Sequence, residues 1–148
     1  MWCTAVTSYQ VNKCVIVGRM LSRRFRCGSL LRHFYPHISG LCELCGEELE
    51  DIPHIVLPRC PQLNDRANIL LRFAKEKLSE NQTALLLFTN IMDGKDDIKK
   101  VQLLLDPAAI PDIISATQKD KTVLQSLLSV TTTWCYSINR TRTKLLGK

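Results

Sequence analysis

Aromatic residues make up only 6% of this chain, so its core has to be aliphatic. No apolar stretch reaches the roughly 18 to 20 residues that a membrane span requires. Near Met1 there is no positively charged start followed by an apolar run and a small-residue cleavage site. The expectation is therefore an intracellular protein, nuclear or cytoplasmic, that is not secreted. Asn81-Gln-Thr and Asn139-Arg-Thr fit the glycosylation pattern, but without a secretory route both are chance matches. Catalytic signatures are missing too: there is no Gly-rich phosphate loop, no His-Glu-x-x-His pair and no pair of carboxylates with an evident site. Enzymatic activity is not expected.

No internal repeat or low-complexity tract interrupts the chain, and no run alternates apolar and polar residues long enough to read as a strand. The fold class expected is all-α, a small helical domain with an irregular zinc-binding loop between helices. Its 148 residues, 45% hydrophobic and 23% charged, match one soluble domain that buries roughly two-thirds of its unfolded surface. Three stretches are distinguished: a basic helical segment over 1–40, a cysteine-rich knuckle over 41–61, and a helical region over 62–148 that packs as one domain with the rest.

Acids are absent from the first forty positions, which hold Lys13, Arg19, Arg23, Arg24, Arg26 and Arg32. The other fourteen basic residues are matched by the fourteen acids, so this segment supplies the formal net charge of +6. Such a localised excess suits a polyanion, because each neutralised phosphate releases counterions. It also suits a plain solvated face.

Val15, Val17, Met20, Leu21 and Phe25 give the segment from Val11 to Cys27 a helical period. Gly28 and Ser29 then punctuate, a short helical piece spans Leu30 to Tyr35, and Pro36, Ser39 and Gly40 mark a loop. From Pro61, the residues Leu63, Ala67, Leu70, Leu71, Ala74 and Leu78 define one buried helical face. Thr83 to Ile91 is an apolar helix stopped at Asp93-Gly94, and Asp96 or Asp97 caps another that runs to Leu105. Pro107 and Pro111 stand where helices begin, the second helix running to about Gln118. Asp120 caps a long last helix with the stripe Val123, Leu124, Leu127, Leu128, Thr131, Trp134, Cys135 and Ile138.

Seven cysteines is an odd number, and in a reducing compartment close-spaced cysteines read as metal ligands or isolated thiols. Cys42 and Cys45 are separated by two residues, His54 follows after eight more and Cys60 after five. Two residues between cysteines let both thiolates reach one ion through a tight turn, and Gly46 just beyond permits the left-handed backbone that turn needs. Cys42, Cys45, His54 and Cys60 form a Cys3His set for one structural Zn2+, closed because protein fills all four positions. The sulfurs should then lie roughly 3.5 to 4 Å apart. His37 is an alternative to His54, and Cys27 and His33 are close in sequence. Cys3, Cys14 and Cys135 lack partners by spacing and read as small apolar residues. The loop is acidic, with Glu43, Glu47, Glu48, Glu50 and Asp51, and should repel phosphate. Nucleic-acid contacts are accordingly expected from the arginines, with Phe34 or Tyr35 as either stacking faces or packing.

The order of these features resembles the region that follows the polymerase in non-LTR (LINE-type) retrotransposon reverse transcriptases. The likeness is carried by Arg19-Met-Leu-Ser-Arg-Arg-Phe-Arg, by Leu31-Arg-His-Phe-Tyr-Pro, by Cys42-x2-Cys45 with His54-Ile-Val-Leu-x-x-Cys60-Pro, and by two tail segments. These are Ile110-Pro-Asp-Ile-Ile-Ser-Ala-Thr-Gln and Thr133-Trp-Cys-Tyr-Ser-Ile-Asn-Arg-Thr-Arg-Thr-Lys-Leu-Leu-Gly-Lys. The resemblance covers most of the chain from about residue 13. It implies a carboxy-terminal module whose zinc knuckle helps bind template RNA or target DNA. Carried over, the ligands are Cys42, Cys45, His54 and Cys60, and the phosphate contacts are Arg19, Arg23, Arg24, Arg26 and Arg32. The polymerase palm with its Tyr-x-Asp-Asp site and the endonuclease are missing from the chain, which is expected to be a fragment unable to synthesise DNA. Two other readings stand beside this one: a helical protein-interaction domain stapled by zinc, and a non-functional element remnant.

Overall fold

Apolar residues spaced three or four apart become helix along most of the chain. The computed structural model describes residues 8–21, 27–57 and 59–147, and among these there is no strand, only an isolated antiparallel bridge between Leu41 and Leu49. The helices are α1 (Ser8–Leu21), α2 (Gly28–Phe34), α3 (Ile52–Val56), α4 (Asn64–Leu78), α5 (Gln82–Met92), α6 (Asp97–Leu105), α7 (Pro111–Lys119) and α8 (Thr122–Leu145). Short 3₁₀ turns at Pro61–Leu63 and Pro107–Ala109 lead into α4 and α7.

Polar side chains placed before apolar runs start several of these helices. Asn81 accepts the backbone N–H of Ala84 at 3.1 Å and Asp96 that of Lys99 at 3.1 Å, each satisfying a donor that the first turn orphans. Asp120 does the same for Thr122, accepting its N–H at 3.0 Å and its hydroxyl at 2.6 Å. The 3₁₀ turn at Pro107, and not a full helix, follows Asp106, because the next proline at 111 forces a fresh start.

Two of the expected boundaries move. The first helix ends at Leu21, and Cys27 is the extended residue that precedes α2. The second begins at Gly28, where punctuation was expected. The cause is tertiary: Gly28 N–H donates to the Glu50 carboxylate at 3.0 Å and Ser29 N–H to the Glu50 carbonyl at 2.8 Å. Gly28 is also required there, since a Cβ would sit 2.2 Å from the Gly40 carbonyl oxygen.

α8 is the spine. Its first half, through Val123, Leu127 and Val130, is buried with Phe88 of α5, Leu78 of α4 and Ile113 of α7. Its second half, through Trp134, Cys135 and Ile138, is buried with Val17 and Met20 of α1, Leu104 of α6 and the residues around the cysteines. Leu71 and Met92 pack against both groups and join them. Among the described residues no helix is long and apolar enough to cross a membrane.

Candidate metal centre

The cysteine segment folds into a small loop closed on itself. Cys42 N–H donates to the Glu48 carbonyl at 2.8 Å, Gly46 N–H to the Cys42 carbonyl at 2.7 Å, and Glu50 N–H to the Gly40 carbonyl at 2.9 Å. Gly46 has φ +69°, the left-handed conformation that the turn between the first cysteine pair needs.

The other two members come from α3 and its exit. Asp51 caps α3 by accepting His54 N–H at 2.8 Å, and Pro53 sits in the first turn, where its missing donor is not needed. This holds His54 on a short rigid piece. Cys60 immediately precedes the 3₁₀ turn into α4. Trp134 of α8 fixes α3 from behind by donating its indole N–H to the Val56 carbonyl at 2.8 Å.

One ligand atom from each of Cys42, Cys45, His54 and Cys60 lies within 4.8 Å of the others, so these four side chains could hold one metal ion. The Cys42 and Cys60 sulfurs are 3.9 Å apart, and Cys45 Sγ is 3.5 Å from His54 Nε2. Tetrahedral Zn–S bonds of about 2.3 Å and a Zn–N bond of about 2.0–2.1 Å call for separations near 3.8 and 3.6 Å. The donor set thus fits the ion that the spacing predicts. His54 and not His37 joins the group: His37 is exposed in the turn after α2.

Cys42, Cys60 and His54 are at most 2% exposed, whereas Cys45 faces partly outward. Environment separates the thiols. Burial raises Cys42, and burial pushes Cys60 up to about 12. Cys45 is lowered to about 7, chiefly by the backbone N–H of Glu47 bonding its sulfur. Behind the ligands, the Glu48 carboxylate stands 3.3 Å from His54 Nδ1. That contact leaves Nε2 directed at Cys45 and fixes the ring in the orientation that a metal-ligating imidazole requires.

Three of the loop's five acids therefore have internal work, which a reading of charge alone does not reveal. Glu48 orients His54, Asp51 caps α3, and Glu50, 3% exposed, receives Arg142 of α8 at 2.6 and 3.1 Å as well as Gly28 N–H. An available signal for α3 was the run Asp51-Ile-Pro, an acid that caps followed by a proline in the first turn. Nothing local announces the pairing of Glu50 with Arg142, which are 92 residues apart.

Of the arginines assigned to phosphate, Arg19 is exposed on α1 and Arg32 is exposed on α2. Arg23, Arg24 and Arg26 lie outside the described residues. Phe34 and Tyr35 are 67% and 52% exposed, so neither is a core residue. Cys135 is buried, donating its thiol to the Leu104 carbonyl at 3.5 Å, and Cys27 is buried apart from the cluster. Cys3 lies outside the described residues.

No protein-family model, no curated protein and no solved structure matches the chain.

Proposed function

We propose that the chain is a zinc-stabilised nucleic-acid-binding module without catalysis of its own. The convergence of three sulfurs and one imidazole within 4.8 Å of one another, with Cys42–Cys60 at 3.9 Å and Cys45–His54 at 3.5 Å, carries the zinc part. Soft thiolates with an imidazole suit Zn2+, and four protein donors leave no position for water or substrate, so the ion is structural. Cys42, Cys45, His54 and Cys60 would hold it, joining the loop over 41–51 to α3 and to the start of α4. When bound, the ion supplies cross-linking and no reaction.

The nucleic-acid part is supported by Arg19 and Arg32 on the surface, by Arg23, Arg24 and Arg26 between them in sequence, and by the exposed rings of Phe34 and Tyr35. Arginine gives phosphate contacts that do not read base sequence, and exposed rings give stacking faces. The resemblance to the region after the polymerase in LINE-type reverse transcriptases points the same way, toward RNA or single-stranded target DNA as partner. On that reading the chain derives from the carboxy-terminal part of such an enzyme.

Salt titration of oligonucleotide binding tests it. Arg23, Arg24 and Arg26 changed together to Ala should flatten the slope of log K against log salt by about 2, at roughly 0.7 per lost single-strand contact. Unchanged binding would reject the arginine segment as the contact surface.

A further inference from the structure

Beside the knuckle, α2 and α3 line a cleft of about 560 Å³, within the roughly 300–1,000 Å³ of sites that take a ligand. Its apolar walls are Leu30 and Phe34, one turn apart on α2, and Ile52 and Pro53 in the first turn of α3. Phe34 lines the cleft while 67% exposed, which puts its ring at the rim. There it meets the His33 ring edge-to-face, with centroids 5.2 Å apart at 78°. The Cys27 thiol and the Ser29 hydroxyl, also in the lining, lie 3.3 Å apart and bond each other.

Among the described residues, Asp51 is the only carboxylate in that lining, and no Lys or Arg shares it. One Asp51 oxygen caps α3 by accepting the His54 N–H at 2.8 Å, and the other has no hydrogen bond or ion pair among the described residues. Arg59 feels the Asp51 charge but is ion-paired with Asp97, and Arg142 is taken by Glu50. Arg32 is two residues from both Leu30 and Phe34, about 200° around α2, and its Cβ lies against Gly40. The loop before Asp51 adds Glu43, Glu47 and Glu48, all exposed, with no base between Cys42 and Asp51. This cleft therefore attracts a cation and repels a phosphate.

We propose that this cleft binds an arginine from a basic peptide of a partner protein, its guanidinium lying on the Phe34 ring and donating to the second Asp51 oxygen. A planar guanidinium stacks its face on a ring while its edge donates to a carboxylate, whereas an ammonium is a compact point charge. The aliphatic stem would lie against Leu30, Ile52 and Pro53. The volume exceeds what one side chain fills, so neighbouring residues enter with it and the ligand is a peptide, not a free cation. The site is independent of the phosphate contacts proposed above and shares only the Phe34 ring with that reading.

Fluorescence anisotropy of a labelled peptide of alternating arginine and glycine, on the zinc-loaded full chain, tests this. The wild type should bind it, and should bind the lysine-glycine equivalent about fivefold more weakly. Asp51→Asn keeps an oxygen for the His54 N–H, since Asn caps a helix as well as Asp does, and should weaken binding at least about tenfold with zinc content unchanged. Phe34→Ala, which removes an exposed ring, should weaken it about fivefold. A wild type that binds neither peptide overturns the proposal. Equal affinity for the two peptides overturns it as well, as does arginine-peptide binding that survives Asp51→Asn, because either result means general attraction to the acidic loop. Loss of folding or of zinc in Asp51→Asn is met by Phe34→Ala, whose unchanged affinity for the peptide would overturn the proposal. If Phe34→Ala weakens binding of oligouridine but not of the peptide, the ring serves a base, and the peptide site falls while the nucleic-acid reading stands.

Discussion

His54 is the residue on which the metal centre turns, and it is held twice: by Asp51 at its backbone and by Glu48 at its ring. Glu48→Ala should lower zinc affinity 10- to 100-fold, measured by competition with a chromophoric chelator, because the ring loses the partner that orients it. An unchanged affinity would make Glu48 incidental. The thiols set the pH response. Cys60 is raised to about 12 and Cys42 is raised as well, so each could bind a metal only after releasing a proton. Zinc affinity should therefore fall as pH falls, and fall more steeply below about pH 7, where Cys45 also takes up its proton. A pH-independent affinity would contradict thiolate ligation. The four clustered residues were legible from spacing alone, and the one sulfur pair measured, Cys42 and Cys60 at 3.9 Å, falls in the expected range. Glu48 was not, because a carboxylate in an acidic loop reads as surface charge until the fold shows what stands beside it.

At the scale of elements, α8 and the knuckle are joined by the Glu50–Arg142 pair, with side chains 4% and 13% exposed. Removing Glu50 takes the buried carboxylate away from both Arg142 and the Gly28 N–H. Glu50→Ala should destabilise the protein by about 3 kcal/mol or more in denaturant unfolding, as broken buried pairs do, whereas an exposed pair would cost well under 1 kcal/mol. Trp134→Ala removes both buried ring area and the hydrogen bond to Val56, and should cost about 3–5 kcal/mol. The helices from α4 to α8 could be read from the sequence, because apolar periodicity and the caps Asn81 and Asp96 agree with each other there, while at α8 the N-cap is Lys121 and Asp120 accepts the Thr122 N–H from one residue earlier. α3 was not read, being only five residues long, although Asp51 before Pro53 offered a start signal. The start of α2 was misplaced for a different reason: Gly28 is fixed by Glu50 and by the close approach of Gly40, both distant in sequence. The stripe on α8 omitted Val130, which is 2% exposed and fills the gap between Leu127 and Thr131.

Across the whole molecule, the cysteine loop is part of the core and not an appendage. Cys42 and Cys60 are buried in the cluster that contains Trp134, Ile138, Val17 and Met20. Metal at this position would stabilise the half of the protein that carries the basic face, while the cluster around Phe88, Ile113 and Leu127 has its own apolar contacts. Charge is likewise a property of the whole: the sequence places its excess in the first forty residues, and the packing of α1 on α8 brings the acid-free tail next to that segment. All of this depends on an ion held by Cys42, Cys45, His54 and Cys60. Native mass spectrometry of the purified chain measures it most directly. The wild type should carry one zinc per chain, and Cys42→Ser and Cys60→Ser should each lose it; a wild-type protein that folds and stays metal-free in the presence of zinc would contradict the account.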